Sequence, residues 1–286
     1  MIEADNAVMA LLVGARLASS SLSLAEGSTL LISEMYPTVP HIKRFQVRPD
    51  RARKLLDGSE SHLARISIPY AMSVHEDYVN GVRDDLVSSG ISLITGTQHW
   101  NAENMHRIIF ATMVAALPAE LDTFDLLRRI RNCLIHQGGV VDQYLRDGIA
   151  ALSPGSASRW NQVVGRPATD LALTEQVSLG LGEIMIAFSV TRHLSKKVHE
   201  ASLAALPRTL WLEECVSDFR QHHEADIRAR RLLRRKLQAW STSHYDGFNF
   251  SWSDLHDEAV AQGLSSTVLR MRNPGRRVRD STSDSP

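Results

Sequence analysis

An arginine and a histidine, Arg131 and His136, lie five positions apart on one predicted helix. A guanidinium group can bind an anion, and an imidazole can exchange a proton near neutral pH. The helix is predicted over residues 123–137 and ends at two glycines, Gly138 and Gly139. His136 therefore lies in the last turn, where the negative helix end favours the protonated imidazole. The bare pair has little weight alone, because this spacing arises about once by chance in such a chain.

A projection of this helix, at about 100° per residue, separates the two side chains. Arg131 falls on the apolar side, between Leu127 and Ile135, whereas His136 lies on the opposite, polar arc. An unpaired charge on a buried face is very costly. Arg131 must therefore face a partner, or pair with an acid and simply hold the bundle together. The predicted polar arc contains Asp125, Arg128, Arg129, Asn132 and His136.

Composition and missing motifs exclude several classes of protein. The formal net charge is zero, so any surface that binds an anion must be local. Cys133 and Cys215 are far apart with no CxxC motif, which argues against disulfides and cysteine-held zinc and fits a reducing cytoplasm. The acidic N-terminus and the short apolar run 8–13 predict neither a signal peptide nor a membrane span. No glycine-rich phosphate loop or metal motif is present, so no cofactor is expected.

Apolar residues recur at helical spacing along most of the chain, which predicts an all-α helical bundle. Pro69 is expected to kink or interrupt the helix that Ser61 begins, and Thr123 is expected to cap the helix with the arginine and histidine. The connection 140–170 is long enough to be functional, mobile or partly structured. The predicted helices cover 6–35 with a break near Gly27, 59–89, 101–118, 123–137 and about 169–206.

Pro207 is the preferred boundary between a first domain, 1–206, and a C-terminal helical region, 207–286. A long helix is predicted over about 209–240, and a disordered tail from Asn273 onward. The second half of the long helix is strongly basic. A charge run of this kind is usually a solvated face, although it could contact nucleic acid phosphates. The candidate nucleic-acid contacts are Arg228, Arg231, Arg234 and Arg235.

The sequence around Arg131 and His136 is more informative than the spacing of these two residues alone. It reads Arg-Asn-Cys-Leu-Ile-His-Gln-Gly-Gly over 131–139, preceded by the helix from Phe124. This string resembles the HEPN family, in particular the ribonuclease-like HEPN proteins of bacterial toxin and antiviral-defence systems. The resemblance is specific over about twenty residues. It is looser over 60–205, where the order of predicted helices also fits.

The resemblance implies a homodimeric, metal-independent endoribonuclease in which the helices of two protomers form one composite site. It implies that Arg131 holds the scissile phosphate of RNA, that His136 is a general acid or base, and that Asn132 orients either group. Asp125 and Arg128 would support His136 from the same side. It also implies an antitoxin or a defence-system protein as a further partner.

The resemblance equally permits a second function, because HEPN-like domains without activity exist. Such a domain would dimerise through the same helix, act as a sensing module, and bind a protein or nucleic acid. His136 would then only cap its helix. The residues themselves favour a site built from two copies, because one helix directs Arg131 and His136 about 140° apart.

Overall fold

The computed structural model describes residues 2–228 and 233–264. Within that part of the chain the secondary structure is helical, and one isolated bridge joins Val140 to Gln176. The prediction of an all-α helical bundle is confirmed. The chain divides into two compact units, Met1–Ala205 and Leu206–Pro286.

The first unit is built around two long helices, α4 and α9, which pack along one another. Their buried residues include Ile68, Met72 and Val79 of α4, and Phe188 and Leu194 of α9. Burying large apolar side chains of this kind contributes about 2 kcal/mol each. The helices of this unit are α1 (Ile2–Ser23), α2 (Ile32–Met35), α3 (Pro49–Asp57), α4 (Ser59–Ser88), α5 (Met105–Thr112), α6 (Leu121–His136), α7 (Gln143–Ala150), α8 (Pro154–Val164) and α9 (Leu181–Ala205), with 3-10 turns at Ile42–Arg44 and Ala168–Ala172.

Helix α6, called the motif helix below, begins two residues before the predicted start at 123. Phe124 N already donates to the Glu120 carbonyl at 2.9 Å, which is a helical hydrogen bond. Thr123 therefore lies inside the helix and is buried, so the prediction that it caps the helix is wrong. Helix α4 likewise begins at Ser59 rather than after Ser61, and it continues through Pro69.

The connection after the motif helix is ordered, and it shortens the helix predicted from 169. Residues 168–172 form a 3-10 turn, and Gln176 pairs with Val140 as an isolated bridge. The 3-10 turn and the bridge use backbone hydrogen-bonding groups that a continuous helix would need, so α9 begins only at Leu181. Gly182 then lets α9 pass close to α8, since an added Cβ would lie 2.7 Å from the Val164 Cα.

The second unit has its own small core, to which Cys215, Phe219, Leu237 and Leu255 contribute. The single helix predicted over 209–240 is interrupted at His223, which has left helical geometry at φ −119° and ψ 26°. A turn there allows both segments to contribute to one core. The predicted tail from Asn273 lies outside the described residues. The helices of this unit are α10 (Arg208–His222), α11 (Glu224–Arg228), α12 (Leu233–His244) and α13 (Trp252–Ala261), with a 3-10 turn at Asp246–Phe248.

Candidate functional site

The C-terminal end of the motif helix is held in place by the segments around it. Gly138 and Gly139 adopt positive φ angles of 62° and 87°, which turn the chain away from the helix axis. The φ of 87° at Gly139 favours glycine, and an added Cβ would also displace the end of the Arg65 side chain, whose Nη1 would lie 2.5 Å away. The Gly139 carbonyl accepts from Val177 N at 2.9 Å. The last turn, which carries His136, is therefore fixed by contacts with distant parts of the unit.

Arg128 lies in a different environment from the one its position in the sequence predicted. It was placed on the polar arc, yet it is only 6% exposed. Its guanidinium lies 3.6 Å from the Asp125 carboxylate and 3.5 Å from that of Glu103, in the turn before α5. A helical projection places Arg128 on the polar face but cannot show that Glu103 covers that face. Arg128 is therefore committed to an internal ion pair.

Arg129 is also occupied. Its Nη1 donates to the Tyr144 carbonyl at 2.6 Å, and its guanidinium lies 4.0 Å from the centre of the Tyr144 ring. The side chain runs over Gly148, where an added Cβ would come within 2.3 Å of Arg129 Cδ. Arg129 therefore fastens α7 to the motif helix.

Arg131 is half-buried and makes no ion pair within the described residues. Its Nη1 donates to Oδ1 of Asn132 at 3.3 Å. Glu76, on α4, lies close enough for Arg131 and then Arg128 to oppose the rise in its pKa that burial causes. Oε1 of Glu76 is buried and accepts no hydrogen bond from the described part of the chain. The structure thus brings Arg131, Asn132 and Glu76 together where α4 meets the motif helix.

His136 is exposed in the last turn, and its imidazole contacts no hydrogen-bonding or charged partner among the described residues. Its side chain projects from a different side of the helix than Arg131, five residues earlier. Asp125 was expected to support His136, but its nearest partner is Arg128. Burial raises the pKa of Asp125, against the opposing effect of that guanidinium. The structure does not bring Asp125 and Arg128 to His136.

The basic residues predicted to contact nucleic acid fall partly outside the described residues. Nothing can be described of Arg231 or of the Arg228 side chain. Arg234 is half-buried, and its guanidinium lies 4.6 Å from the centre of the Trp252 ring in the same unit. Arg235 is exposed. Of the two described side chains, only Arg235 is directed to solvent as a phosphate contact requires.

A buried pair of histidines, which the sequence pattern did not predict, lies behind the motif helix. Nε2 of His75 lies 2.8 Å from Nε2 of His106, and Nδ1 of His75 lies 2.8 Å from the Ser195 hydroxyl. The edge of Phe124 packs against both rings. Burial lowers the pKa of His75 to about 4 and that of His106 to about 3, so both rings are neutral at pH 7. The pair connects α4, α5 and α9 behind the site.

Glu76 and the histidine pair also escaped prediction from the sequence. His75 and Glu76 are polar residues within the helical pattern of 59–89, and His106 is one within that of 101–118, which was the only available signal. No three side chains able to bind a metal ion come together in residues 2–228 and 233–264. None of the helices described there has the length and apolar character to cross a bilayer.

Comparisons with known proteins do not assign this chain to a family. No family model matches it, and neither the curated proteins nor the solved structures contain a significant match. The functional interpretation therefore rests on the geometry of the motif helix and on the resemblance of residues 131–139.

Proposed function

We propose that the first unit is a metal-independent endoribonuclease of the HEPN type, with Arg131, Asn132 and His136 as its catalytic residues. The observation that carries the proposal is how the cationic side chains of the motif helix are used. Arg128 is buried against Glu103 and Asp125, and Arg129 is bound to Tyr144. Arg131 and His136, in contrast, make neither an ion pair nor a hydrogen bond to another element of the unit within the described residues.

The guanidinium of Arg131 and the imidazole of His136 suit the cleavage of RNA by its own 2′-hydroxyl group. The guanidinium of Arg131 would bind the scissile phosphate and stabilise the charge that develops on it. His136 keeps an exposed imidazole, which can take the proton of the 2′-hydroxyl or give one to the leaving oxygen. Asn132 already contacts Arg131 and would hold its guanidinium in place.

One copy of the motif helix does not direct both groups at one phosphate. We therefore propose a homodimer in which Arg131 of one protomer and His136 of the other act on the same phosphate. Ile135 lies between them in sequence and is 56% exposed, as expected for an apolar residue at an interface. The biological setting that we propose is a cytoplasmic toxin or a phage-defence effector, with RNA as the substrate.

The test is RNA cleavage in the presence of EDTA by the full chain and by Arg131→Ala and His136→Ala. We expect the wild type to yield products with 2′,3′-cyclic phosphate ends. Each variant should lose about a hundredfold or more in rate. His99→Ala, at another exposed histidine of the same unit, is the control and should cleave as the wild type does. Equal cleavage by all four proteins, or a need for metal, would contradict the proposal.

The alternative is a non-catalytic module that dimerises through the same helix. Glu76 is the observation that favours it, because its carboxylate already provides negative charge beside Arg131. In that case His136→Ala would leave the biological effect unchanged. Binding of a partner would instead depend on residues 207–286, and their deletion would abolish it.

A further inference from the structure

The N-terminal part of the first unit contains two neighbouring cavities of about 450 Å³ each, which share three lining residues. Both are lined by Ala18 of α1 and by Leu55 and Leu56 of α3. We call the two cavities together the N-terminal groove. It is also lined by Ala10, Leu11 and Gly14 at one end, and by Tyr36, Ile42 and Phe45 at the other.

The walls of the N-terminal groove are apolar and open to solvent. Leu11 is 60% exposed, Tyr36 is 42% exposed and Phe45 is 38% exposed. Ala10, Gly14 and Ala18 recur every four residues along α1, so the wall of the groove on that side is formed by small side chains. An open apolar trough between two helices is the kind of surface that binds the apolar face of a third helix.

The acidic residues around the groove are already satisfied within the chain. Arg16 donates to Glu60 at 2.5 Å, and Arg53 donates to Glu26 at 3.0 Å. Asp57 accepts from the Ser19 hydroxyl at 2.6 Å. Glu34 and Asp50 accept from the backbone amides of Leu31 and Gly27, at 2.6 and 3.4 Å.

The basic residues around the groove are not satisfied in this way. All are exposed, and none has a carboxylate partner in the described part of the chain. Two of them lie between Ile42 and Phe45, which line the groove. Another, four residues before Leu55 on α3, is its neighbour on the same helical face. Positions 6–63 contain seven Lys or Arg and five Asp or Glu residues, and this excess of positive charge beside an apolar groove favours an acidic partner. The five residues are Lys43, Arg44, Arg48, Arg51 and Lys54.

We propose that the N-terminal groove binds an acidic amphipathic helix of a partner protein, with the apolar face in the trough and carboxylates on the basic rim. Most residues that line the groove are aliphatic, so it offers few hydrogen bonds to nucleotide bases, which argues against RNA. A lipid chain in so open a trough would stay half in water. In a second copy of this chain, the part of α1 that follows Asp5 would bring no carboxylates, because Arg16 is the only charged residue between positions 6 and 23. This inference does not depend on the nuclease activity.

The probe is a synthetic fluorescent helix of about 18 residues, five turns, with leucines on one face and glutamates elsewhere. A matched peptide carries lysine at every glutamate position. Anisotropy titrations with the full chain should show the acidic peptide binding at least about tenfold more tightly than the basic one. The difference should shrink as salt rises from about 50 to about 300 mM.

Two variants separate the apolar and the charged parts of the surface. Ala18 is exposed and lines both cavities, so Ala18→Trp fills the groove and should weaken binding of the acidic peptide about tenfold or more. Val87→Trp, on the exposed face of α4, is its control. The double variant Lys43→Glu and Arg44→Glu should reverse the preference and bind the lysine peptide more tightly. Lys196→Glu, at an exposed lysine of α9, should not.

Several results would overturn this proposal. One is equal binding of the two peptides by the wild type, and another is equal binding of the acidic peptide by Ala18→Trp and Val87→Trp. Tighter binding of a single-stranded RNA, or of vesicles containing phosphatidylglycerol, than of the acidic peptide would exclude the proposed occupant. Loss of a dimer in Ala18→Trp, measured by light scattering, would show that a second copy occupies the groove.

Discussion

The buried pair His75 and His106 makes the stability of the first unit depend on pH. In the unfolded chain each imidazole has its ordinary pKa of about 6.5. In the folded chain the values are about 4 and about 3, because burial disfavours the charged rings. At pH values between the folded and the unfolded pKa, the unfolded state binds more protons than the folded state. The free energy of unfolding therefore falls as the pH falls below 6.5.

The size of this effect follows from the two pKa differences. At pH 5 both folded histidines are still neutral, whereas the unfolded ones are almost fully protonated. Each histidine then favours unfolding by about 2 kcal/mol, or about 4 kcal/mol together, relative to pH 7.5. The slope near pH 5.5 is about 2.4 kcal/mol per pH unit, a large fraction of the stability of an ordinary domain.

The assay is urea unfolding followed by circular dichroism at pH 7.5, 6.0, 5.5 and 5.0, for the wild type and for His75→Leu/His106→Leu. The double variant should lose most of the slope, since it has no buried imidazoles to protonate. The second unit is identical in both proteins, so its own pH dependence cancels in the comparison. The reasoning is refuted if the double variant keeps the slope, or if the wild type is equally stable at pH 7.5 and 5.0.

Two further predictions concern the neighbours of the site and the packing of α9. Glu76→Gln should lower the KM for RNA about two- to fivefold, because the carboxylate no longer competes with phosphate for Arg131. In the wild type the KM for RNA should rise with pH, because the Glu76 carboxylate ionises. If Glu76→Gln showed the same dependence of KM on pH as the wild type, this would count against the competition. Gly182→Ala should destabilise by about 1–3 kcal/mol, because its Cβ would lie 2.7 Å from Val164 Cα. Gly81→Ala on α4, with nothing within 4 Å of the added Cβ, should instead stabilise by about 0.5–1 kcal/mol in thermal unfolding.

Much of the architecture could be predicted from local patterns. Apolar spacing predicts helices, and two consecutive glycines predict the end of the motif helix near His136. These features depend on residues within a few positions of each other, which a single sequence displays. The early start of the motif helix was not predicted, because it depends on the hydrogen bond from Phe124 N to the Glu120 carbonyl. The late start of α9 was not predicted either, because it depends on the bridge between Val140 and Gln176.

The surroundings of the site could be predicted much less well. The sequence predicts Arg128 on the polar arc, where it would support His136, yet it is buried and paired with Glu103 from the turn before α5. Glu76 approaches Arg131 from α4, fifty-five positions earlier in the chain. A helical projection contains only the residues of its own helix, so neither neighbour could be seen in it. The projection did separate Arg131 from His136, and this separation is the reason for proposing a site made by two chains.

The most direct test of the proposed function mixes the two variants Arg131→Ala and His136→Ala. Each variant alone should be inactive. In a mixed dimer, one of the two composite sites receives an intact Arg131 and an intact His136 from different protomers. After subunit exchange, RNA cleavage in EDTA should therefore recover to about a quarter of the wild-type rate. A mixture that stays inactive despite exchange would contradict a site shared between protomers, and full activity of either variant alone would contradict the catalytic assignment.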